Sequence, residues 1–178
     1  MSLHDASSFN VRSTLNSWFK TEIDAWSFPA ALELTFPGNR VLFDMPGSTA
    51  KVPAFSVHHT PVVLEQSFQG RRGADGEFAM RSTAFMDISA WTSRIDSTGQ
   101  TVPFRAQLDY MTAIVEQVVT KTTHRLILDY AADFDSPANT AFKVNLHGIE
   151  SQTVVPDPNP AIERVRILVY YSWILRSN

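Results

Sequence analysis

Cysteine is absent from this 178-residue chain. Its absence excludes disulfides, thiolate metal sites, cysteine nucleophiles and iron–sulfur ligand sets, each of which needs sulfur as ligand or attacking atom. Excess charge of one sign is lacking too. The 15 basic and 18 acidic residues leave a formal charge of −3, which provides no overall field to hold nucleic acid or an anionic membrane. Long apolar runs are missing: the stretch RVRILVYYSWIL contains charges and falls short of the ~20 residues that a membrane-crossing helix needs. The amino terminus, MSLHDASSFNVRS, has neither a basic lead nor the ~7–15 apolar residues of a secretion signal, so the chain is expected to stay where it is made and to have no membrane partner. Internal repeats and low-complexity tracts are lacking, and VPDPNP (Val155 to Pro160) is too short to separate domains. What remains is a 44% apolar chain, long enough to bury roughly 70% of its unfolded surface in one core. A single domain spanning 1–178 is expected.

Hydrophobic spacing divides the chain into elements. Val11, Leu15, Trp18, Phe19, Ile23 and Trp26 recur at three- and four-residue steps, the pattern of one helix face over about 9–26, with Ser7 or Ser8 to cap it and Pro29 as its latest end. Phe104, Leu108, Met111, Val115 and Val118 predict a second helix over about 102–122, with Thr101 as candidate cap and Pro103 in its first turn. Between them the period becomes two. Phe78, Met80, Ala84, Met86, Ile88 and Ala90 oppose Arg81, Thr83, Asp87 and Ser89, predicting a strand with one wet face.

KVPAFSVHHTPVVLEQ (51–66) is rich in β-branched residues but holds Pro53 and Pro61, so an edge strand or one broken in the middle is expected. GRRGADGE, Gly70 to Glu77, joins it to the next strand as a long hairpin tip. A short strand is expected within Asn39 to Asp44, and further strands over Arg125 to Tyr130 and Thr140 to Thr153. In the last segment Val165, Ile167, Val169, Tyr171, Trp173 and Leu175 share one face while Leu168, Tyr170 and Ile174 make the other partly apolar, as in a strand inside a sheet. The fold class predicted is α+β: a mainly antiparallel, mixed sheet with two long amphipathic helices packed on it and a long β-hairpin.

No motif carries a reaction. His58 and His59, adjacent on a strand, point to opposite faces and do not easily share a metal ion. DFDSPAN places Pro137 and Ala138 where a calcium loop needs a ligand and its turn glycine. There is no GxSxG or SxxK, and GRRGADG lacks the GK[ST] ending of a phosphate-binding loop. A triad assembled from distant residues is a matter of geometry alone. Asp129, His124 and Asp133 would be the residues of a small-ligand hydrolase or binding domain if folding gathered them at a pocket. No cofactor and no metal are expected.

Arginine outnumbers lysine by eleven to four. Arg71 and Arg72 share the hairpin tip with Asp75 and Glu77, and such a neutral, mixed-charge tip suits docking against a protein surface better than gripping phosphates. A solvated loop is the alternative. Four Trp, twelve Phe and four Tyr likewise point to subunit contacts, or simply to helices covering a sheet.

The order of elements is informative in itself. An amphipathic first helix, the FPG turn (Phe36-Pro37-Gly38), the strand VPAFSVHHTP, a Gly-rich hairpin, FAMRSTAFMDIS and the helix VPFRAQLDYMTAIVEQVV follow one another. This succession resembles the tail terminator proteins of long-tailed bacteriophages, also called tail completion or tube-capping proteins. The likeness covers about Phe9 to Val119, and the long carboxyl-terminal part departs from the compact members.

The resemblance implies a non-enzymatic virion protein of the tail or neck, assembled in the host cytoplasm. It implies a hexameric ring that ends tube polymerisation and provides the surface for head–tail joining. Its partners would be copies of itself, the tail tube protein and a head completion or connector protein, with DNA passing through the lumen without specific binding. Gly70, Arg71, Arg72, Asp75 and Glu77 would be ring or tube contacts. Another neck, connector or baseplate adaptor role is the alternative within the same particle.

Overall fold

A computed structural model describes residues 8–43, 46, 51–65, 78–96, 98–122, 127–129 and 141–177; for 8, 10, 64–65, 78–80, 127–129, 141–143 and 174–177 it describes the main chain alone. The chain is α+β, with two helices and a mixed sheet. In chain order the elements are α1 (Ser8–Asp24), a single 3-10 turn (Ala30–Leu32), β1 (Val41–Leu42), β2 (Ala54–His59), β3 (Val63–Glu65), β4 (Phe78–Ser93), α2 (Phe104–Thr122), β5 (Ile127–Asp129), β6 (Ala141–Val154) and β7 (Ile162–Ser177). The strands run β1-β2-β4-β7-β6-β5 across one sheet, and β3 also pairs with β4. Only the β1–β2 pair is parallel among these.

Both helices lie on the same face of the sheet. Val11, Leu15, Phe19 and Ile23 of α1 and Leu108, Met111, Ile114, Val115, Val118 and Val119 of α2 form one buried cluster with Phe55, Val57, Met86, Ile88, Ile167, Val169, Tyr171 and Trp173 of the strands. The helix residues recur at three- and four-residue intervals, and the strand residues share one face, so each pattern is satisfied by the same core. Each large side chain fully withdrawn from water here stabilises the fold by about 1.5–3 kcal/mol.

Arg40 closes the carboxyl end of α1, which has no basic residue of its own in its last turn. Its Nη1 donates to the carbonyls of Ile23 (3.1 Å), Asp24 (3.1 Å) and Trp26 (2.8 Å), placing positive charge where the helix dipole is negative. The guanidinium lies against the packed pair Phe28 and Phe36, 4.9 and 5.5 Å from their ring centroids.

A polar chain ties α1 to the sheet. Arg12 donates to Thr60 O (2.6 Å) and to the Tyr171 hydroxyl. His59 contacts Tyr171 Oη through Nδ1 (3.0 Å) and Asn16 Oδ1 through Nε2 (2.8 Å). Since Asn16 Oδ1 can only accept, Nε2 carries the imidazole proton and Nδ1 accepts from Tyr171. Burial first, then the charges of Arg12 and His58, lower the His59 pKa to about 3. Burial pushes the Tyr171 phenol up to about 12. Both groups are therefore neutral at pH 7, which suits a chain of hydrogen bonds laid beside an apolar core.

The 51–66 segment is broken in the middle, between β2 and β3, as its prolines require. Pro53 precedes β2 and Pro61 falls in the break. Thr60 bridges the gap: its N–H donates to Phe85 O (3.0 Å), and its hydroxyl accepts from the Phe85 N–H (3.0 Å). The edge alternative does not apply to β2, which is flanked by β1 and β4. β7 lies inside the sheet, between β4 and β6.

Candidate interaction surface

One expectation is corrected on the sheet face opposite the helices. Thr83, Asp87 and Ser89 of β4 were to line a wet face, yet they are 6%, 8% and 0% exposed. Thr83 is covered by β3 and bonds Val63 O; for Asp87 and Ser89 the cause is the register with β7, in which Ser89 faces Arg166 and Trp91 faces Arg164. Long arginine side chains laid over short polar ones cover them with their aliphatic stems while the charged heads stay near water.

This face is built from alternate residues of β2, β4, β7 and β6. Trp91 Nε1–H donates to Ser56 Oγ at 2.8 Å, so the buried indole is satisfied. Arg164 lies over the Trp91 ring, 4.5 Å from its centroid, and its Nε donates to Ser89 Oγ at 3.1 Å. Arg166 Nε donates to Asp87 Oδ2 at 2.7 Å. Val52 and Ile162 complete a small apolar cluster around Trp91. Burial lowers the Arg164 pKa, and Asp87 opposes that shift; the guanidinium stays charged, as arginine does in proteins.

Further along the same strand pair the surface becomes aromatic. Phe85 packs against Tyr170 with centroids 5.3 Å apart, and the His147 ring lies 4.8 Å from Tyr170 at a tilt of 30°. His147 Nε2 is 2.7 Å from Ser172 Oγ. Leu168 stands between Arg166 and Tyr170 in the same row and is partly exposed. No helix of the described residues covers this face.

Two guanidinium groups, with the Asp87 and Asp157 carboxylates near them and partly exposed rings alongside, make a polar and aromatic strip on paired strands. Such composition, arginine and aromatics on a preordered backbone, is what protein interfaces use at their anchors.

Of the residues singled out from sequence, Gly70, Arg71, Arg72, Asp75 and Glu77 lie outside the described residues, in the stretch between β3 and β4. His124 and Asp133 lie outside them as well. Asp129 falls on β5, paired with Ala141. His58 and His59 project to opposite faces of β2: His58 pairs across the strands with Asp87 on the helix-free side, and His59 joins the polar chain under α1. Among the described residues no group of three or more His, Asp or Glu is placed to hold a metal ion, and no helix is long and apolar enough to cross a membrane.

Arg164, Arg166 and Trp91 were not singled out from sequence, and Asp87 was read only as part of a wet strand face. Their signal was the i, i+2 spacing of Arg164 and Arg166 on a strand, with Asp87, Ser89 and Trp91 at the same spacing on another. No family model matches the chain, and no curated protein matches it.

Proposed function

We propose that this chain is a structural protein of a tailed bacteriophage, a tail terminator that forms a ring on the tail tube, ends its polymerisation and offers a surface for head–tail joining. In this reading the two helices are amphipathic covers for one sheet face, and β3 and β4 are the stems of a long hairpin whose tip, Gly70 to Glu77, meets a neighbour or the tube. The observation that carries it is the helix-free face. Its ordered arginine and aromatic rows, on two strands paired over their whole length, suit burial against a second copy of the chain. Non-enzymatic function, a hexameric ring, contacts to tube and connector proteins, passage of DNA without specific binding, and a place in the virion follow from the same reading. The order of elements from Phe9 to Val119 supports it independently.

The test is electron microscopy of tubes assembled from their tail tube protein with and without this chain. The proposal expects tubes of uncontrolled length in its absence and defined, capped ends in its presence. Unchanged length distributions would refute it. A neck or baseplate adaptor would use the same surface, and its position along the virion would distinguish it.

A further inference from the structure

Beside the polar chain under α1 lies a second feature, separate from the helix-free face. A cavity of about 350 Å³ opens between α1 and the β1–β2 edge, lined among others by Phe9, Arg12, Ser13, Asn16, Phe43 and His59. None of its described lining residues is acidic. Arg12 is half-buried and forms no ion pair with any described residue; it donates to Thr60 O and to the Tyr171 hydroxyl, and its Nε–H is buried with no acceptor.

The groups around it offer donors. Asn16 gives its carbonyl oxygen to His59, which leaves its amide N–H groups free to donate. Ser13 adds a hydroxyl at the lining. Among the described residues, the titratable groups that feel the charge of Arg12 are His59 of β2 and Tyr171 of β7, both neutral at pH 7. A half-buried guanidinium with no counter-ion among the described residues is well placed to take an anion supplied from outside. At the rim, Phe43 is 47% exposed. A large ring exposed beside a cation favours a ligand that carries an apolar body next to its charge.

We propose that this cavity is a binding site for an organic carboxylate, with Arg12 holding the carboxylate, Asn16 and Ser13 donating to it, and Phe9 and Phe43 enclosing the apolar group attached to it. The carboxylate has two sources of the same chemistry, a free small molecule or an acidic side chain of another polypeptide. The proposal does not depend on the ring reading.

The experiment follows the Arg12 Nε–H resonance of the ¹⁵N-labelled chain during titration with sodium phenylacetate, sodium acetate and, as a neutral control of similar shape, benzyl alcohol. Saturable shifts with phenylacetate are expected, with acetate about tenfold weaker because it lacks the apolar body, and no saturation with benzyl alcohol. R12M should abolish the response, read then at the backbone amides of Ser13 and Asn16. If R12M does not fold, F43A decides, because Phe43 is exposed and its loss should remove the advantage of phenylacetate while keeping acetate binding. Shifts linear in concentration for all three compounds, or a response untouched by R12M or F43A, would overturn the proposal. Gel filtration with and without phenylacetate separates the sources. A mass that falls on addition assigns the native carboxylate to a neighbouring polypeptide, and an unchanged mass with saturable binding assigns it to a free ligand.

Discussion

His59 makes a quantitative prediction about pH. Its imidazole sits between Tyr171 Oη and Asn16 Oδ1 and titrates near pH 3 in the folded chain, against an ordinary value of 6.5. Below pH 6.5 the unfolded chain takes up a proton at this position that the folded chain refuses, so stability present above pH 6.5 is progressively lost as pH falls toward 3. The slope approaches about 1.4 kcal/mol per pH unit once the unfolded histidine is fully charged. Between pH 7 and pH 5 the loss from this residue is about 2 kcal/mol. Carboxylates add their own pH dependence, so the contribution is isolated by comparison with His59→Gln, which cannot titrate. Urea unfolding followed by tryptophan fluorescence at the two pH values should show wild type losing about 2 kcal/mol more than the variant. Equal losses in the two proteins would refute the assignment of a buried, neutral imidazole.

Four further substitutions have expected outcomes. Arg166→Met should cost about 2 kcal/mol by leaving the Asp87 carboxylate, 12% exposed at its side chain, without its ion pair and with a 3.5 Å contact to Ser89 and the more distant charge of Arg164. Asp87→Asn should cost less, because Arg166, 41% exposed, can turn to water; a double-mutant cycle should return a coupling of about 1 kcal/mol, and a null coupling would contradict the pairing. Trp91→Phe should destabilise by about 1 kcal/mol, measured by chemical denaturation, since it strips Ser56 of its donor at a buried site. Phe19→Ala should cost about 3–5 kcal/mol by opening a cavity where the ring meets Phe55; thermal unfolding reads this, and a change under 1 kcal/mol would show that α1 is not part of the core.

Local patterns made the helix-side core legible. Val11, Leu15, Phe19 and Ile23 are all fully buried, because a three- and four-residue apolar period has one physical solution, a helix with one face against a sheet. β4 was legible only by half. Its even-numbered face follows from alternation, but serines and an aspartate read as wet until arginines arrive from 75 and 79 residues further on. Register between distant strands is a tertiary property, and nothing in the local sequence of β4 reports it.

Arg12 shows the same limit from the other side. A lone arginine on a helix reads as solvated, and its burial beside His59 and Tyr171 depends on two strands it meets only in the fold. The twin prolines of the 51–66 segment, by contrast, act through their own backbone; they narrowed it to an edge strand or one broken in the middle, and the break falls at Thr60 and Pro61.

The central claim is that the helix-free sheet face is covered by another copy in the working assembly. The chain's lack of cysteine makes this directly measurable, since Leu168→Cys places a unique thiol among Arg166, Tyr170 and the rings of that face. Its rate of reaction with a maleimide should be at least about tenfold slower in tail particles than in the dilute free chain, as expected for a site buried at an interface. An identical rate in the two states would mean that the face remains in water, and would contradict the account.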